Sequence, residues 1–446
     1  AMNDFLKKLF EEADKAGLTA AEAYVVEEES FDAMVMEGEI TKYSSNATRG
    51  LGFRAMVDGK MGYASTEAFD EEAVGQLVKG ALDSARLCED TDEQFLYDGK
   101  GKVPGIDLYN PALAQVGPEE KLDFVLGLER AAKAYDPRIQ KVGDTTVFTG
   151  KQTVRIINTY GVDQSYTQNY CGAFLESIAQ EGESIAAGDE LVLRRGFDQL
   201  NAQELAAAAS QMAVDRLHAR PLPSGQYRVI LENLVMTELL GVFSTAFSAE
   251  SAQQGMSLLK GKLGEVIAAD CVTLVDDPLL PGGLASRPFD GEGVPSARHT
   301  LIDRGLFTTF LHNLKTARKD GVQTTGNASK TGYAAPVKIS PSNFFFEPGS
   351  KTLPELMKDV GSGVLITDVT GLHAGANAVS GDFSLLSKGF LIENGEKVRP
   401  LEQITVAGNF FTMLKNIRAM GSDLRFPRGG MGSPSVDVGE LSIAGQ

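Results

Sequence analysis

Between Glu22 and Glu67 apolar and polar residues alternate through "AYVVEEES", "DAMVMEGEITKYS", "TRGLGFRAMV" and "KMGYAST", a period of two that suits half-buried strands. The Asp58-Gly59 pair separates the last two runs, and such a pair favours a tight hairpin because a type I′ turn needs positive φ at both positions. The chain is thereby committed to antiparallel strands near its start. Before them, Phe5, Leu6, Leu9, Phe10 and Ala13 share one face of a helix over 4–16 that Gly17 closes. After them, Asp70 is placed to cap a helix running to about Cys88.

The same order recurs further on. Residues 89–117 are rich in Gly, Pro and Asp, lack any period, and read as a linker. Pro118, Glu119 and Glu120 then open a helix, with the acids favoured at its positive end. The run from Asp144 to Gln180 is β-rich, and Asn201 with Glu204 resembles a capping box ahead of "LAAAASQMAVDRLHA". "RPLPSGQ" at 220–226 marks a boundary, beyond which a strand, a helix and short β segments are separated by glycine-rich loops. The expectation is an α+β chain of three domains. Residues 1–100 and 101–222 each read helix, strands, helix, and 223–446 reads as a largely antiparallel β-sheet domain with a cleft.

Charge and cysteine usage narrow the function classes. With 60 acidic against 42 basic residues in 446, the formal charge is −18; such a surface repels phosphate backbones, and no basic stripe offsets it, so nucleic acid is not an expected partner. The three cysteines, Cys88, Cys171 and Cys271, share no metal-binding or disulfide spacing, which fits a reducing compartment. No apolar run approaches the roughly 18 residues a membrane helix needs, and the opening residues read as a soluble amphipathic helix rather than a signal. A cytoplasmic location without a membrane partner is expected.

Chemistry is harder to find. His218, His299, His312 and His373 never fall at the i, i+4 spacing that puts two metal ligands on one helix face. His373 stands out only because the small residues of "HAGANAVSGD" leave room for a ligand. Ser380 has Asp382 beside it but no obvious base and no G-x-S-x-G elbow. Cys271, in "AADCVTLVDD", reads as a buried strand residue with an inert thiol. Asp290 and Glu292 in "FDGEGV" could hold a cation or a peptide amine, although two acids among glycines more often form a solvated loop. Arg287, Arg298 and Arg318 could receive a carboxylate.

The strings "GGLASRPFDGEGV", "TARKDGVQTTGNA", "GLHAGANAVSGDFSLLSKGFLIENGE" and "ITVAGNFFTMLKNI" resemble the TldD/PmbA family, specifically its PmbA (TldE) branch. The resemblance covers most of the chain and is strongest from about residue 225 onward. It implies that a TldD-type relative is a zinc metallopeptidase with an HExxxH helix and a later cysteine ligand. Imidazoles and a thiolate hold the metal there, and a glutamate takes a proton from the bound water. Counting back without gaps from "GKLGEVIAADCVTLVDD" lays that motif over "LGVFST", so Leu240, Gly241 and Thr245 occupy the places of the two histidines and the base. Met431 or Phe426, in "RFPRGGMGSPS", occupies the place of the cysteine.

None of these side chains is an imidazole, carboxylate or thiolate, so the resemblance implies no catalytic residue, metal or cofactor in this chain. Zinc is expected only in a TldD-like partner subunit. The stretch "LLGVFSTAFSAES", residues 239–251, is then expected to be a well-buried, metal-free helix with Leu240, Phe243 and Phe247 packed inward. The implied role is a PmbA/TldE-like subunit in proteolysis and peptide maturation, homo- or heterodimeric. It would accept extended or unfolded peptide by strand addition, with His373, Asn377, Ser380, Asp382, Asp290 and Glu292 in the cleft wall. Two alternatives remain open: a divergent, self-sufficient hydrolase using His373 with Asp382 or Glu292, and a homodimeric, gyrase-modulating peptide-binding accessory protein.

Overall fold

In the computed structural model, which describes residues 1–446, the alternating runs become strands well beyond the usual length of about 5–6 residues. β1 (Ala21–Met36), β2 (Glu39–Val57) and β3 (Lys60–Thr66) form one meander, and β4 (Ile139–Asn158), β5 (Asp163–Glu181) and β6 (Ser184–Arg194) form another. β1 pairs antiparallel with β4, Val26 opposite Val154, so the two meanders merge into one six-stranded sheet of order β3-β2-β1-β4-β5-β6. The modules read from sequence as successive units thus share a backbone ladder. Asp58 and Gly59, at φ 48° and 78°, form the expected turn between β2 and β3.

Helices cover this sheet in two patches. α1 (Met2–Lys15) buries Phe5, Leu6, Leu9 and Ala13 against α2 (Glu71–Arg86) and the strands, and the Asp70 carboxylate accepts the Ala73 N–H at 2.9 Å. α3 (Pro111–Ala114), α4 (Pro118–Ala134) and α5 (Ala202–Asp215) build a second patch around Leu128, Leu175 and Ala209, with Asn201 capping Glu204 N–H at 3.1 Å. Between the patches Glu27 to Ser30 are exposed residue after residue, so mid-β1 has solvent on both faces.

The segment expected to be a linker is a docked strap instead. Leu96 and Leu108 are buried, and its acids pair with the helix α8 (Leu314–Asp320). Asp90 bonds Lys315, Glu93 meets Arg318 at 2.6 Å and Asp92 meets Lys319 at 3.1 Å. Sparse anchors at irregular spacing carry no periodic signal, which is why the sequence reads as linker.

The C-terminal part holds two larger sheets. β8 (Leu274–Asp276), β9 (His299–Asp303), β10 (Leu306–Phe307), β13 (Phe344–Phe346) and β18 (Met431–Gly432) make a five-stranded one, while β11 (Ala328–Ser329) and β12 (Lys338–Ile339) form a small hairpin. The other contains β7 (Gly225–Leu231), β14 (Gly363–Thr370), β15 (Asp382–Glu393), β16 (Glu396–Asn409), β17 (Ala419–Met420) and β19 (Val436–Ala444). Within it only β7 and β14 run parallel. β16 bonds β15 on one side and β19 on the other, which closes the strands on themselves and removes their edges. The whole is α+β with mainly antiparallel sheets, as the sequence led us to expect.

The core of the C-terminal part contains 41 buried residues. Through it runs α6 (Asn233–Phe243), apolar nearly all round, as a fully buried helix is. The continuous helix expected over 239–251 is broken. α6 stops at Phe243, Ser244–Phe247 tighten into a 3₁₀ turn, Ser248 is extended, and α7 (Ala249–Gln253) follows. Ser244 Oγ donates back to Gly241 O at 2.8 Å, a local bond that competes with helix propagation. Ser248 instead bridges to Leu311, with Ala249 N–H donating to Leu311 O at 2.9 Å. α9 (Leu353–Val360), α10 (Leu372–Gly375) and α11 (Phe410–Asn416) complete the chain.

Candidate functional site

Leu240 is fully buried, and Phe243 stacks on Phe410 of α11 with centroids 4.6 Å apart. Gly241 presents bare backbone to a different neighbour: a Cβ built on it would lie 3.7 Å from Met431 Sδ. Thr245 is exposed. Phe426 turns away to pack on Phe345, centroids 5.3 Å apart, so Met431 rather than Phe426 meets the helix. Arg428, between them in sequence, reaches Glu238 of α6 at 3.0 Å.

The structure therefore brings together one pair of the positions singled out in the sequence, Gly241 and Met431, and directs Leu240 into the core and Thr245 to solvent. A metallopeptidase centre at these positions would require imidazole and thiolate donors. The four side chains offer one thioether and one outward hydroxyl, both poor donors for Zn²⁺. This donor set does not fit zinc.

The loop around His373 is a separate place. His373 lies exposed on the short α10. Asn377 Oδ1 accepts the Val379 and Ser380 N–H groups at 3.0 Å each, and Ser380 Oγ accepts the Asp382 N–H at 3.2 Å. Asp382 Oδ1 accepts from Asn409 Nδ2 at 3.0 Å. Asn377, Ser380 and Asp382 thus shape their own turn. None of the four residues lines the cavities of roughly 240 to 520 Å³ that lie beside β6, beside the 95–98 strap, along mid-β1 and at Arg54.

Asp290 and Glu292 are neither a solvated loop nor neighbours of His373 but sit at the junction with the N-terminal sheet, 2% and 3% exposed. Asp290 Oδ1 accepts the Glu292 and Val294 N–H groups at 2.9 and 3.0 Å, and its Oδ2 accepts Ala328 N–H at 3.0 Å. It is the pin of the "FDGEGV" loop. Glu292 Oε1 accepts Leu314 N–H at 3.1 Å and Oε2 lies 3.5 Å from Arg54 Nη2. Arg54 in turn grips Glu22 with Nε and Nη2 at 2.8 and 3.0 Å, a bidentate pair in which both partners are buried. Burial outweighs the attraction of Arg54 and pushes the Glu292 carboxyl up to about 7. Desolvation likewise pushes Lys330 down to about 8, its ammonium 4.5 Å from the Tyr24 ring centroid.

Sequence reasoning missed Glu22, Arg54 and Lys330. The available signal was the position of Glu22 and Arg54 on strands whose neighbours are core residues, where an unpaired charge would be intolerable. A cavity of about 240 Å³ borders Arg54, Tyr63, Glu292, Asn313 and Lys315. Cys271 also departs from expectation: it lies on an exposed turn just before β8, not in a buried strand. Arg298 pairs with Glu347 and Arg318 with Glu93 on the surface, while Arg287 keeps Nε and Nη2 buried without acceptors.

Comparison with known proteins bears on the whole chain. Three family models match in order: PmbA/TldA metallopeptidase domain 1 over residues 21–85, the central domain over 111–217 and the C-terminal domain over 224–445. The chain is 30% identical to Metalloprotease PmbA of Escherichia coli O157:H7, covering 99% of this chain and 97% of that one. Haemophilus influenzae carries both a Metalloprotease PmbA homolog, 28% identical over 97% of this chain and 94% of its own, and a Metalloprotease TldD homolog, 23% identical over 96% and 91%. Among solved structures, a Thermotoga maritima protein described as a candidate modulator of a DNA gyrase superposes with a TM-score of 0.92 at 32% identity, covering 100% of both chains. TldE from Thermococcus kodakarensis shares the fold, with a TM-score of 0.90 at 23% identity over 99% of this chain and 100% of that one. With its two linked meanders, its closed C-terminal sheet and all three domain models matched in sequence order, the chain belongs to the PmbA/TldD metallopeptidase family.

Proposed function

We propose that this chain is a zinc-free, PmbA/TldE-like subunit that works beside a TldD-type metallopeptidase chain in the processing or degradation of peptides. The reading is supported by the Gly241–Met431 pair, a thioether against bare helix backbone where the resemblance sets the glutamate base and the cysteine ligand of a zinc-bearing relative. The co-occurrence of PmbA-like and TldD-like relatives in Haemophilus influenzae supports a partner that supplies the metal centre. Free cysteines and the absence of a helix long and apolar enough to cross a membrane accord with a cytoplasmic place of work.

In such a pair this chain contributes surface and shape rather than bond cleavage. Its buried aromatic stack around Phe243 and Phe410 rigidifies α6, so the face that Gly241 and Met431 share is held without a metal. The test is peptide hydrolysis by each chain alone and by the mixture with a TldD-type chain. Activity that appears only on mixing, with no loss in His373→Ala, is the expected result. Robust hydrolysis by this chain alone, abolished in His373→Ala, would replace it with a self-sufficient enzyme.

A further inference from the structure

The outer border of the six-stranded sheet is β6, which pairs only with β5. Their register is unbroken from Ser184 to Arg194, so successive residues turn their backbone groups alternately toward β5 and away from it. Two contacts fix the phase: Arg216 Nη1 donates to Ala187 O at 3.1 Å, and Arg194 Nη1 donates to Leu193 O at 2.8 Å. Ala187, Asp189, Leu191 and Leu193 therefore face outward. Guanidinium groups cover the carbonyls at the two ends of this row, and the Leu191 N–H and C=O, turned away from β5 by this phase, make none of the backbone bonds outside the ladders. Unpaired edge amides are the template on which strand addition works.

A groove of about 520 Å³ runs along this border, with Leu191 to Arg195 as one wall and the turn Leu280–Leu284 and loop Leu424–Gly429 as the other. Four strand residues, Leu191 to Arg194, at a rise of about 3.3 Å make the strand wall roughly 13 Å long, room for about four extended residues. Its walls are built without any occupant. Arg195 ties them, donating from Nη1 to Asn169 O at 2.9 Å and from Nη2 to Gly283 O at 2.7 Å, and Arg425 pairs across to Glu190.

The groove is also basic in a chain of formal charge −18. Of its three arginines, Arg425 has a carboxylate partner and Arg195 spends Nη1 and Nη2 on the Gln168, Asn169 and Gly283 oxygens, which leaves the exposed Arg194 open to a ligand. Beyond Gly429 the loop wall continues to Met431, against α6. A segment lying in the groove is led toward the face that Gly241 presents.

We propose that this groove binds an extended peptide as a seventh strand on β6, bonded to the outward backbone of Leu191, with a carboxylate of the peptide set against Arg194. The inference rests on the peptide-directed reading above and gives the peptide a location separate from the His373 loop, none of whose residues lines the groove.

The test is binding of fluorescent decapeptides to the full chain by anisotropy, with a chelator present so that the outcome does not depend on the zinc question. Methylating alternate peptide nitrogens should weaken binding about tenfold for one parity and leave the other unchanged, the cost of one lost hydrogen bond. Leu191→Pro should weaken it similarly, since an edge strand tolerates proline where the N–H faces outward. Arg194→Ala should weaken peptides that carry the carboxylate and spare those that do not. Amidating the C-terminus and then adding an internal glutamate separates the two sources of the charge: affinity restored by glutamate assigns a side chain, and affinity not restored assigns the terminus. Equal binding by both methylation parities, or unchanged affinity in a folded Leu191→Pro chain, would overturn the proposal.

Discussion

Met431 Sδ stands 3.7 Å from the point where a Cβ on Gly241 would project, so a thioether from a C-terminal strand closes over the one place where α6 shows bare backbone. Gly241 has no positive φ and therefore needs no glycine for its conformation. Its interest is the space it leaves beside Met431.

Filling that space should stabilise the chain. Gly241→Ala puts a methyl group at ordinary van der Waals distance from the sulfur and removes a mid-helix glycine, for a gain of about 0.5–1 kcal/mol. Urea unfolding is the measure. A loss of stability would show that α6 and Met431 are packed more tightly than this geometry.

The residues singled out as cleft contacts should separate into two classes. Asp290→Ala strands three buried N–H donors and should cost about 2–5 kcal/mol. His373→Ala, on an exposed turn, should stay within about 0.5 kcal/mol of the parent. Equal costs in chemical denaturation would contradict the burial described for the junction.

Glu292 makes stability pH-dependent. Its carboxyl is pushed from an ordinary 4.5 up to about 7 by burial, so the folded chain holds a proton that the unfolded chain releases. The resulting stabilisation is complete below about pH 4.5 and is lost as pH rises through about 7; between pH 5 and 8 it should amount to about 1–3 kcal/mol. Glu292→Gln should flatten that slope. Arg54→Met should instead cost about 3–5 kcal/mol near neutral pH, because Glu22 is left buried without its partner.

The thiols give a kinetic readout of the same packing. Cys171 is buried, and burial pushes its thiol up to about 12, whereas Cys271 is exposed. Native protein should react with a thiol reagent rapidly at Cys271 and at Cys171 only on unfolding, as peptide mapping would show. Rapid native labelling of Cys171 would contradict the packing of α4 and α5 on the sheet.

What could be read from the residues followed local rules. The Asp58-Gly59 turn, the Asp70 cap and the amphipathic start are encoded within a few positions, and each appears where its pattern placed it. What could not be read depends on partners far away in sequence. The joining of β1 to β4, the docking of Asp90 onto Lys315, and the pairing of Arg54 with both Glu22 and Glu292 leave no periodic trace. The break after Phe243 was invisible for the opposite reason: "VFSTAFSAES" keeps helical spacing of its apolar residues, while the tertiary bridge from Ser248 to Leu311 overrides it.

The most direct measurement is the zinc content of the chain isolated from its own cells, with and without any chain that co-purifies with it. The expected result is a co-purifying TldD-type chain that carries all the zinc, and this chain, once separated, with no tightly bound metal and no uptake on adding Zn²⁺. Stoichiometric zinc retained by this chain alone would contradict a zinc-free role.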